Sequence, residues 1–393
     1  MNSKIQHRIF IFFLFALILS ACKRDNDPPK PEPDYLVEYE QIMVMSTDDI
    51  LNRLTEIGDL PPQISLFINH GVVVYRVVYG TTDTDNNQIL ASGALIVPDT
   101  ESSVPLMSFQ HGTITRDEDA PSWFTSDQYL AAVFYASTGY TVSLPDYIGY
   151  GISSNMDHPY EHGHSLATAS RDMLRAVYEL ETIEKIFSTN NKLFLTGYSQ
   201  GGYATMALLK LIEEQHSAEF DITAATAGAG AYDKSRFARH ILELNEEAVH
   251  LNTFLWVLET YDRVYGINRT PDKYFNEPYA SIIEEEGVFS NPQLNPVKLF
   301  NAVFSEGILN GSDTEFLNAL ADNDNYDWKP STPLKLYHGT EDNFVYYFNS
   351  LSAYEAMKGN GAGSVELVTI EGGDHFTSVS EYITGTFLYF SSF

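Results

Sequence analysis

The sequence predicts an α/β fold, in which a mostly parallel central sheet carries helices on both faces. Short runs rich in β-branched and aromatic residues alternate along the chain with helical patterns, which is the order expected of such a fold. The predicted strands are Val72–Tyr79, Ile89–Val97, Val104–Phe109, Tyr140–Leu144, Lys192–Thr196, Ile222–Ala227, Leu334–Tyr337 and Val365–Ile370. The predicted helices are Ser165–Lys185, Gly202–Gln215, Tyr346–Lys358 and Phe376–Phe390. Turn residues between the first two strands predict an antiparallel hairpin ahead of the parallel strands.

One stretch, residues 232–332, interrupts this alternation. It lacks the pattern of a buried strand and contains aromatic-rich amphipathic segments such as Phe237–Glu247 and Leu251–Val264. Because the strand pattern resumes directly afterwards, we interpret residues 232–332 as a helical cap between the sixth and seventh predicted strands, rather than as an independent domain. The core then comprises residues 35–231 and 333–393, and we expect the cap to lie over the carboxyl edge of the sheet, where α/β proteins bind ligands.

The composition is that of an acidic globular protein. Of 393 residues, 44% are hydrophobic, and 23 Lys and Arg stand against 53 Asp and Glu, for a formal net charge of −30. A charge of this sign and size repels phosphate backbones. Nucleic acid is therefore excluded as an expected partner.

The first 34 residues predict export and attachment to a membrane. A short basic stretch precedes an apolar run over Ile9–Leu19, which is too short to cross a bilayer and is typical of a signal peptide over residues 1–21. The run ends in Leu-Ser-Ala-Cys, which resembles the lipobox of bacterial lipoproteins and predicts lipidation of Cys22, the only cysteine. The proline-rich, charged residues 22–34 predict a disordered tether. We expect a lipid-anchored protein of the bacterial cell envelope, on the periplasmic or the outer face of the outer membrane.

The clearest chemical signal is Gly-Tyr-Ser-Gln-Gly-Gly at 197–202, between a predicted strand and a predicted helix. A serine at a sharp strand-to-helix turn projects its hydroxyl from the sheet edge, and glycines flank it because strand and helix crowd together there. The helix N-terminus supplies amides and the positive end of a dipole where an oxyanion would form. We therefore predict Ser199 as a catalytic nucleophile and call residues 197–202 the serine turn.

A serine hydroxyl needs a base, and proteins with such a turn carry an acid and then a histidine later in the chain. The loop after the seventh predicted strand contains Glu341 and Asp342. We predict Asp342 as the acid that orients the base, with Glu341 as the alternative. His375 follows the eighth predicted strand and precedes the last helix, which is the place where the base is needed.

An oxyanion hole in this arrangement uses two backbone amides. One is predicted at Gln200, directly after the nucleophile. The other is predicted after the third strand, where Gly112 allows close approach of the backbone, so the amide of Thr113, or of its neighbour Ile114, is the candidate donor.

His158, His162 and His164 raise the question of a metal site. Their spacing resembles that of metal ligands, but no fixed helical face and no second carboxylate partner accompanies them. We interpret the segment 157–164 as a packed loop ahead of a helix. We predict neither a metal nor another cofactor.

Together the motifs resemble those of α/β-hydrolases related to secretory lipases of the lipase A type. The resemblance covers most of residues 72–393 and rests on His-Gly-Thr at 111–113, Pro-Asp-Tyr-Ile-Gly-Tyr-Gly at 145–151, the serine turn, His-Gly-Thr-Glu-Asp at 338–342 and Gly-Asp-His at 373–375. It implies the α/β-hydrolase fold with a helical cap, and an esterase or lipase that acts on small or polymer-borne acyl esters.

Three alternative functions remain. A prolyl-type serine peptidase would use the same chemistry, although residues 35–70 are too few to form a propeller ahead of the first predicted strand. An esterase that removes acetyl or feruloyl groups from a polysaccharide would suit a lipoprotein at the cell surface. A binding lipoprotein without activity is the third, and the presence of Ser199, Asp342 and His375 argues against it.

Overall fold

The computed structural model describes residues 32–57, 62–126 and 129–393. The predicted signal peptide, the lipidation site Cys22 and nearly all of the tether lie outside these ranges, so they stay predictions. Within the described ranges, no helix combines the length and the apolar character that a membrane span needs.

In the described part of the chain, nine strands form one sheet. They are β1 Leu36–Met45, β2 Val72–Thr82, β3 Gln88–Pro98, β4 Val104–Gln110, β5 Thr141–Pro145, β6 Thr189–Tyr198, β7 Ile222–Gly228, β8 Leu334–Gly339 and β9 Val365–Ile370. Their spatial order is β1-β2-β3-β5-β4-β6-β7-β8-β9. The neighbouring pairs β1–β2, β2–β3 and β3–β5 are antiparallel. The other neighbouring pairs, β5–β4, β4–β6, β6–β7, β7–β8 and β8–β9, are parallel. The predicted mostly parallel sheet and its leading hairpin are therefore confirmed.

The first strand, β1, is absent from the predicted set. It pairs with β2 at the edge of the sheet, and of its ten residues only Leu36 and Met45, at the two ends, are buried. Polar residues such as Glu38 and Glu40 lie between them. Register shifts between Leu36 and Glu38 and between Gln41 and Met43 interrupt the period-two alternation of this strand, so it lacks the regular hydrophobic pattern by which a half-buried strand is recognised.

Helices cover both faces of the sheet. They are α1 Thr47–Ile57, α2 Leu130–Ser137, α3 Gly163–Glu184, α4 Gln200–Leu211, α5 Lys234–Glu243, α6 Leu251–Val264, α7 Tyr279–Glu286, α8 Pro296–Leu299, α9 Ala302–Asn310, α10 Thr314–Asp322, α11 Phe348–Gly359 and α12 Val379–Phe390. Helices α3, α4 and α11 share one hydrophobic cluster, and α1, α2 and α12 share another. Strand β6 separates them, because Leu193 and Leu195 face the first cluster and Phe194 faces the second.

The stretch between β7 and β8 is helical. Residues 229–333, all of which the structure describes, add no strand to the sheet and contain α5 to α10. Asp233, Asn301 and Asp313 begin α5, α9 and α10, because each side chain accepts a hydrogen bond from a backbone N–H of the first turn. The apolar faces of these helices form a third hydrophobic cluster. Since β1 adds a strand at the start, the cap follows the seventh strand of the structure, which is the sixth predicted one.

A buried ion pair connects the cap to the core. Lys234, in the first turn of α5, donates to the carboxylate of Glu161, and both side chains are almost fully buried. The Lys234 ammonium also lies 4.1 Å from the ring centroid of Tyr203 in α4. Tyr261 of α6 donates from its hydroxyl to the backbone carbonyl of Glu161. The loop before α3 therefore contacts two helices of the cap.

Candidate active site

Ser199 lies at the turn between β6 and α4, with φ +60° and ψ −125°. An L-residue adopts this conformation only where its surroundings enforce it. A Cβ at Gly201 would lie 2.0 Å from the Gln110 carbonyl oxygen, and one at Gly202 would lie 2.2 Å from that of Gly228, so neither position accepts a side chain. The Ser199 N–H donates to the Gly228 carbonyl over 2.8 Å. These contacts hold the serine at the carboxyl edge of the sheet.

The imidazole of His375 lies between Ser199 and Asp342. Its Nε2 is 2.9 Å from the Ser199 Oγ, and its Nδ1 is 2.7 Å from the Asp342 Oδ2. The three residues follow the parallel strands β9, β6 and β8, whose carboxyl ends meet at one edge of the sheet. An ionised carboxylate only accepts hydrogen bonds, so Nδ1 carries the imidazole proton and Nε2 accepts from the serine hydroxyl. The structure thus brings the predicted nucleophile, base and acid into one hydrogen-bonded line.

Both carboxylate oxygens of Asp342 accept hydrogen bonds. Its Oδ1 accepts from the backbone N–H groups of Phe344 and Val345, each over 2.9 Å. Burial raises the pKa of Asp342, but hydrogen bonds from His338 and His375 outweigh burial and lower the pKa to about 2. The carboxylate is therefore ionised at neutral pH. Of the two acids considered from the sequence, Asp342 contacts the imidazole, whereas the side chain of Glu341 is exposed.

A second imidazole, that of His338, contacts Asp342 from the interior. Its Nε2 lies 3.2 Å from the Asp342 Oδ2 and 2.6 Å from the Val345 carbonyl oxygen, and its Nδ1 lies 2.7 Å from the Ser350 Oγ. These partners fit the tautomer protonated at Nε2, with the Ser350 hydroxyl donating to Nδ1. No sequence pattern assigned a role to His338. Its position four residues before the acid, at the end of β8, is the signal by which it can be found.

The backbone segments that carry the predicted oxyanion donors lie side by side. Gln110 at the end of β4 pairs in register with Gly197 of the serine turn, so the following loop begins next to it. Thr113 in this loop lines the same cavity as Ser199. The side chain of Ile114, the alternative donor, belongs to a separate small buried cluster. This placement favours the Thr113 amide, and the donor role of Thr113 and Gln200 stays a prediction.

The side chain of Gln200, the first residue of α4, is buried and contacts His158. The Gln200 Nε2 donates to the His158 Nε2 over 2.8 Å, and the His158 Nδ1 donates to the Ile148 carbonyl over 2.7 Å. Burial lowers the pKa of His158 to about 3, so this imidazole is neutral. His158 therefore holds the residue whose amide is the first predicted oxyanion donor.

The segment 157–164 packs between the core and the cap. The ring centroid of His158 lies 4.8 Å from that of Tyr150 and 5.5 Å from that of Trp256 in α6. The Nδ1 of His162 lies 3.0 Å from the Ser165 Oγ. Across the described ranges, no group of three or more His, Cys, Asp or Glu side chains is arranged to hold a metal ion.

A cavity of about 510 Å³, which we call the cleft, opens beside Ser199. His375 and Thr113 also line it. The rest of its wall is largely apolar and includes Leu54, Leu130, Ala131, Val379 and Ile383. No lining residue comes from residues 232–332. The cap contacts the wall of the cleft through His250, whose ring stacks on that of the lining residue Phe344 with 4.0 Å between the centroids.

Comparison with known proteins identifies the family. Residues 111–382, more than half of the chain, match the model of the alpha/beta hydrolase family. The chain therefore belongs to this family, as its motifs predicted. A comparison with curated protein sequences found no relative.

Solved structures share the fold over most of the chain. A provisionally assigned hydrolase from Legionella pneumophila is 25% identical, with a TM-score of 0.82, and the match covers 91% of this chain and 98% of that one. The rice cell wall degrading esterase LipA from Xanthomonas oryzae is 24% identical, with a TM-score of 0.77 and coverage of 91% and 96%. Lipase A from Candida antarctica is 16% identical, with a TM-score of 0.64 and coverage of 89% and 82%.

Proposed function

We propose that this alpha/beta hydrolase cleaves carboxylic esters with Ser199 as its nucleophile. The observation that carries the proposal is the hydrogen-bonded line from Ser199 through His375 to Asp342 at the wall of the cleft. A serine hydroxyl is a weak nucleophile unless a base removes its proton, and an ionised carboxylate behind that base stabilises the imidazolium that forms. Each of these groups stands at hydrogen-bonding distance from the next.

Acylation follows from this geometry. The His375 Nε2 takes the hydroxyl proton while the Ser199 Oγ attacks the ester carbonyl carbon, and the carbonyl electron pair moves onto oxygen. The oxyanion lies against the backbone amides of Gln200 and Thr113. When the tetrahedral intermediate collapses, the bond to the alcohol oxygen breaks, and the imidazolium gives its proton to the leaving oxygen. The products are the alcohol and an acyl ester of Ser199.

Deacylation repeats the same steps with water. The His375 Nε2 takes a proton from water, whose oxygen attacks the acyl carbon. When this second tetrahedral intermediate collapses, the bond between the acyl carbon and the Ser199 oxygen breaks, and the imidazolium gives its proton to that oxygen. The products are the carboxylic acid and the free enzyme. In both halves, Asp342 keeps the imidazole in the tautomer that presents Nε2 to the serine.

Replacing the nucleophile tests the proposal directly. We expect Ser199→Ala to lower kcat for the p-nitrophenyl ester of a short acyl chain by about 10⁵-fold or more, because no other group can form the acyl-enzyme. Ser154→Ala, at an exposed serine, is the matched control and should keep the parental rate. Release of p-nitrophenol measures both variants.

Two further measurements separate the proposal from its alternatives. A fluorophosphonate should label the parent chain at Ser199 and leave Ser199→Ala unlabelled, whereas a binding protein without activity would show no labelling of either. An aminoacyl-prolyl amide, assayed beside the ester, should be the poorer substrate. Retention of more than about one hundredth of the ester turnover by Ser199→Ala would overturn the assignment.

A further inference from the structure

The apolar wall of the cleft is built by three helices of the core. Leu54 belongs to α1, Ala131 to the first turn of α2, and Ile383 to α12. All three helices pack on the same face of the sheet and share one hydrophobic cluster. Leu54 and Ile383 are less than one tenth exposed. The wall is therefore fixed by core packing, and its shape does not depend on the cap.

The cleft is uncharged in an otherwise acidic protein. Among the described residues that line it, none is Asp, Glu, Lys or Arg, although the chain carries a net charge of −30. A charged group placed against this wall would lose its hydration without gaining a partner, whereas apolar groups would gain from leaving water. The volume of about 510 Å³ lies in the range of sites that hold small ligands.

The cap contains a competing apolar cavity. It measures about 60 Å³ and lies between helices of the cap, with the buried pair Glu161 and Lys234 in its lining. Neither Ser199 nor His375 lines it. A chain bound there would have an ammonium and a carboxylate beside it and no reacting group within the same cavity.

We infer that the wall formed by α1, α2 and α12 is the acyl-chain subsite, and that the enzyme prefers esters of longer uncharged acyl chains over acetyl esters. This inference rests on the proposed function, since the chain must extend from a carbonyl held at Ser199. An acetyl group leaves most of the cleft unfilled. Each further methylene leaves water for the apolar wall until the subsite is full.

The acyl-length profile of the parent enzyme is the first test. We expect kcat/KM for p-nitrophenyl esters to rise about fourfold for each added methylene from acetate through butyrate to hexanoate. Fluorophosphonate labelling of Ser199 is measured on the same preparation. Labelling with a flat or falling profile would overturn the subsite and leave the proposed function standing. Absence of both labelling and hydrolysis would overturn the proposed function instead.

A pair of matched variants locates the subsite. Ala131 and Ala238 are both partly buried helical alanines, and they line the cleft and the cap cavity respectively. Ala131→Phe should lower kcat/KM for hexanoate by about tenfold or more and leave acetate within about threefold, because a bulky ring fills the subsite. Ala238→Phe should keep the parental profile.

The reverse result would place the acyl chain in the cap. Shortening of the profile by Ala238→Phe, with no change in Ala131→Phe, would overturn the inference. If Ala131→Phe is not labelled by fluorophosphonate, the smaller change Ala131→Leu takes its place. A parental chain-length profile in a labelled Ala131→Leu would also overturn the inference.

Discussion

Two imidazoles flank the serine turn, and they differ in the group that lies behind them. The Nε2 of His375 is 2.9 Å from the serine hydroxyl, and the Nε2 of His158 is 2.8 Å from the side-chain nitrogen of Gln200. Both imidazoles are buried, at 3% and 6% exposure, and each Nδ1 donates to an oxygen. For His375 this oxygen belongs to the carboxylate of Asp342, and for His158 it belongs to the backbone carbonyl of Ile148.

The nature of that oxygen determines what each imidazole can do. A carboxylate fixes the tautomer and also compensates the positive charge of an imidazolium, so His375 is able to take a proton. A carbonyl fixes the tautomer without compensating charge, and burial then lowers the pKa of His158 to about 3. Burial and a hydrogen bond therefore make an imidazole a fixed neutral partner, and only the additional anion makes it a base.

Among the changes that test this comparison of the two imidazoles, removal of the Asp342 anion should have the largest effect. Asp342→Asn keeps the size of the side chain but removes the charge that distinguishes His375 from His158, and the amide favours the wrong imidazole tautomer. We expect kcat/KM for a p-nitrophenyl ester to fall by about 10³- to 10⁴-fold. Glu341→Gln, at the exposed neighbouring acid, should stay within about twofold. If Glu341→Gln caused the large loss and Asp342→Asn did not, the assignment of the acid would be wrong.

Removing the neutral imidazole of His158 should lower the free energy of unfolding. His158→Phe leaves the buried amide of Gln200 and the carbonyl of Ile148 without their partner, and each such group costs about 1 to 3 kcal/mol. We expect the free energy of unfolding to fall by about 2 to 4 kcal/mol, measured by urea denaturation at pH 7.5. His164→Phe, at an exposed histidine of the same segment, should change it by less than about 0.5 kcal/mol. Equal losses in both variants would contradict a specific role for His158.

The candidate catalytic residues that the sequence predicted are those with a local signal. Ser199 is marked by the glycines that the crowded turn requires, and Asp342 and His375 each follow a strand rich in apolar residues. Because parallel strands end at the same edge of the sheet, the meeting of these three residues followed from the fold class. The distances between these three side chains could be obtained only from the structure.

The residues that the sequence did not reveal depend on contacts between distant segments. From the sequence, His158 was considered as a metal ligand. Its actual partner, Gln200, lies 42 residues later in the chain, and no sequence pattern indicates that contact. The cleft wall was missed for a related reason. Helices α1 and α2 are absent from the predicted set, and in α2, from Leu130 to Ser137, almost every residue is buried, so the periodicity of an amphipathic helix is missing. Of the three helices in the wall, α12 was predicted, α1 has an amphipathic pattern although the predicted set omits it, and α2 lacks such a pattern because of its burial.

The smallest expected effect is a pH dependence of the difference in unfolding free energy between the parent and His158→Phe. The pKa of His158 is lowered from 6.5 to about 3 in the folded protein. As the pH falls below about 6.5, the unfolded chain therefore binds a proton at His158 that the folded chain does not bind, and the parent loses stability. His158→Phe has no such proton, so the amount by which its free energy of unfolding falls below that of the parent should narrow by about 2.5 kcal/mol between pH 7 and pH 4.5. Other titrating groups are common to both proteins and cancel in the difference. A constant deficit for His158→Phe, measured by urea denaturation across this range, would mean that the buried imidazole takes up a proton in the folded state, and the distinction between the two imidazoles would then be lost.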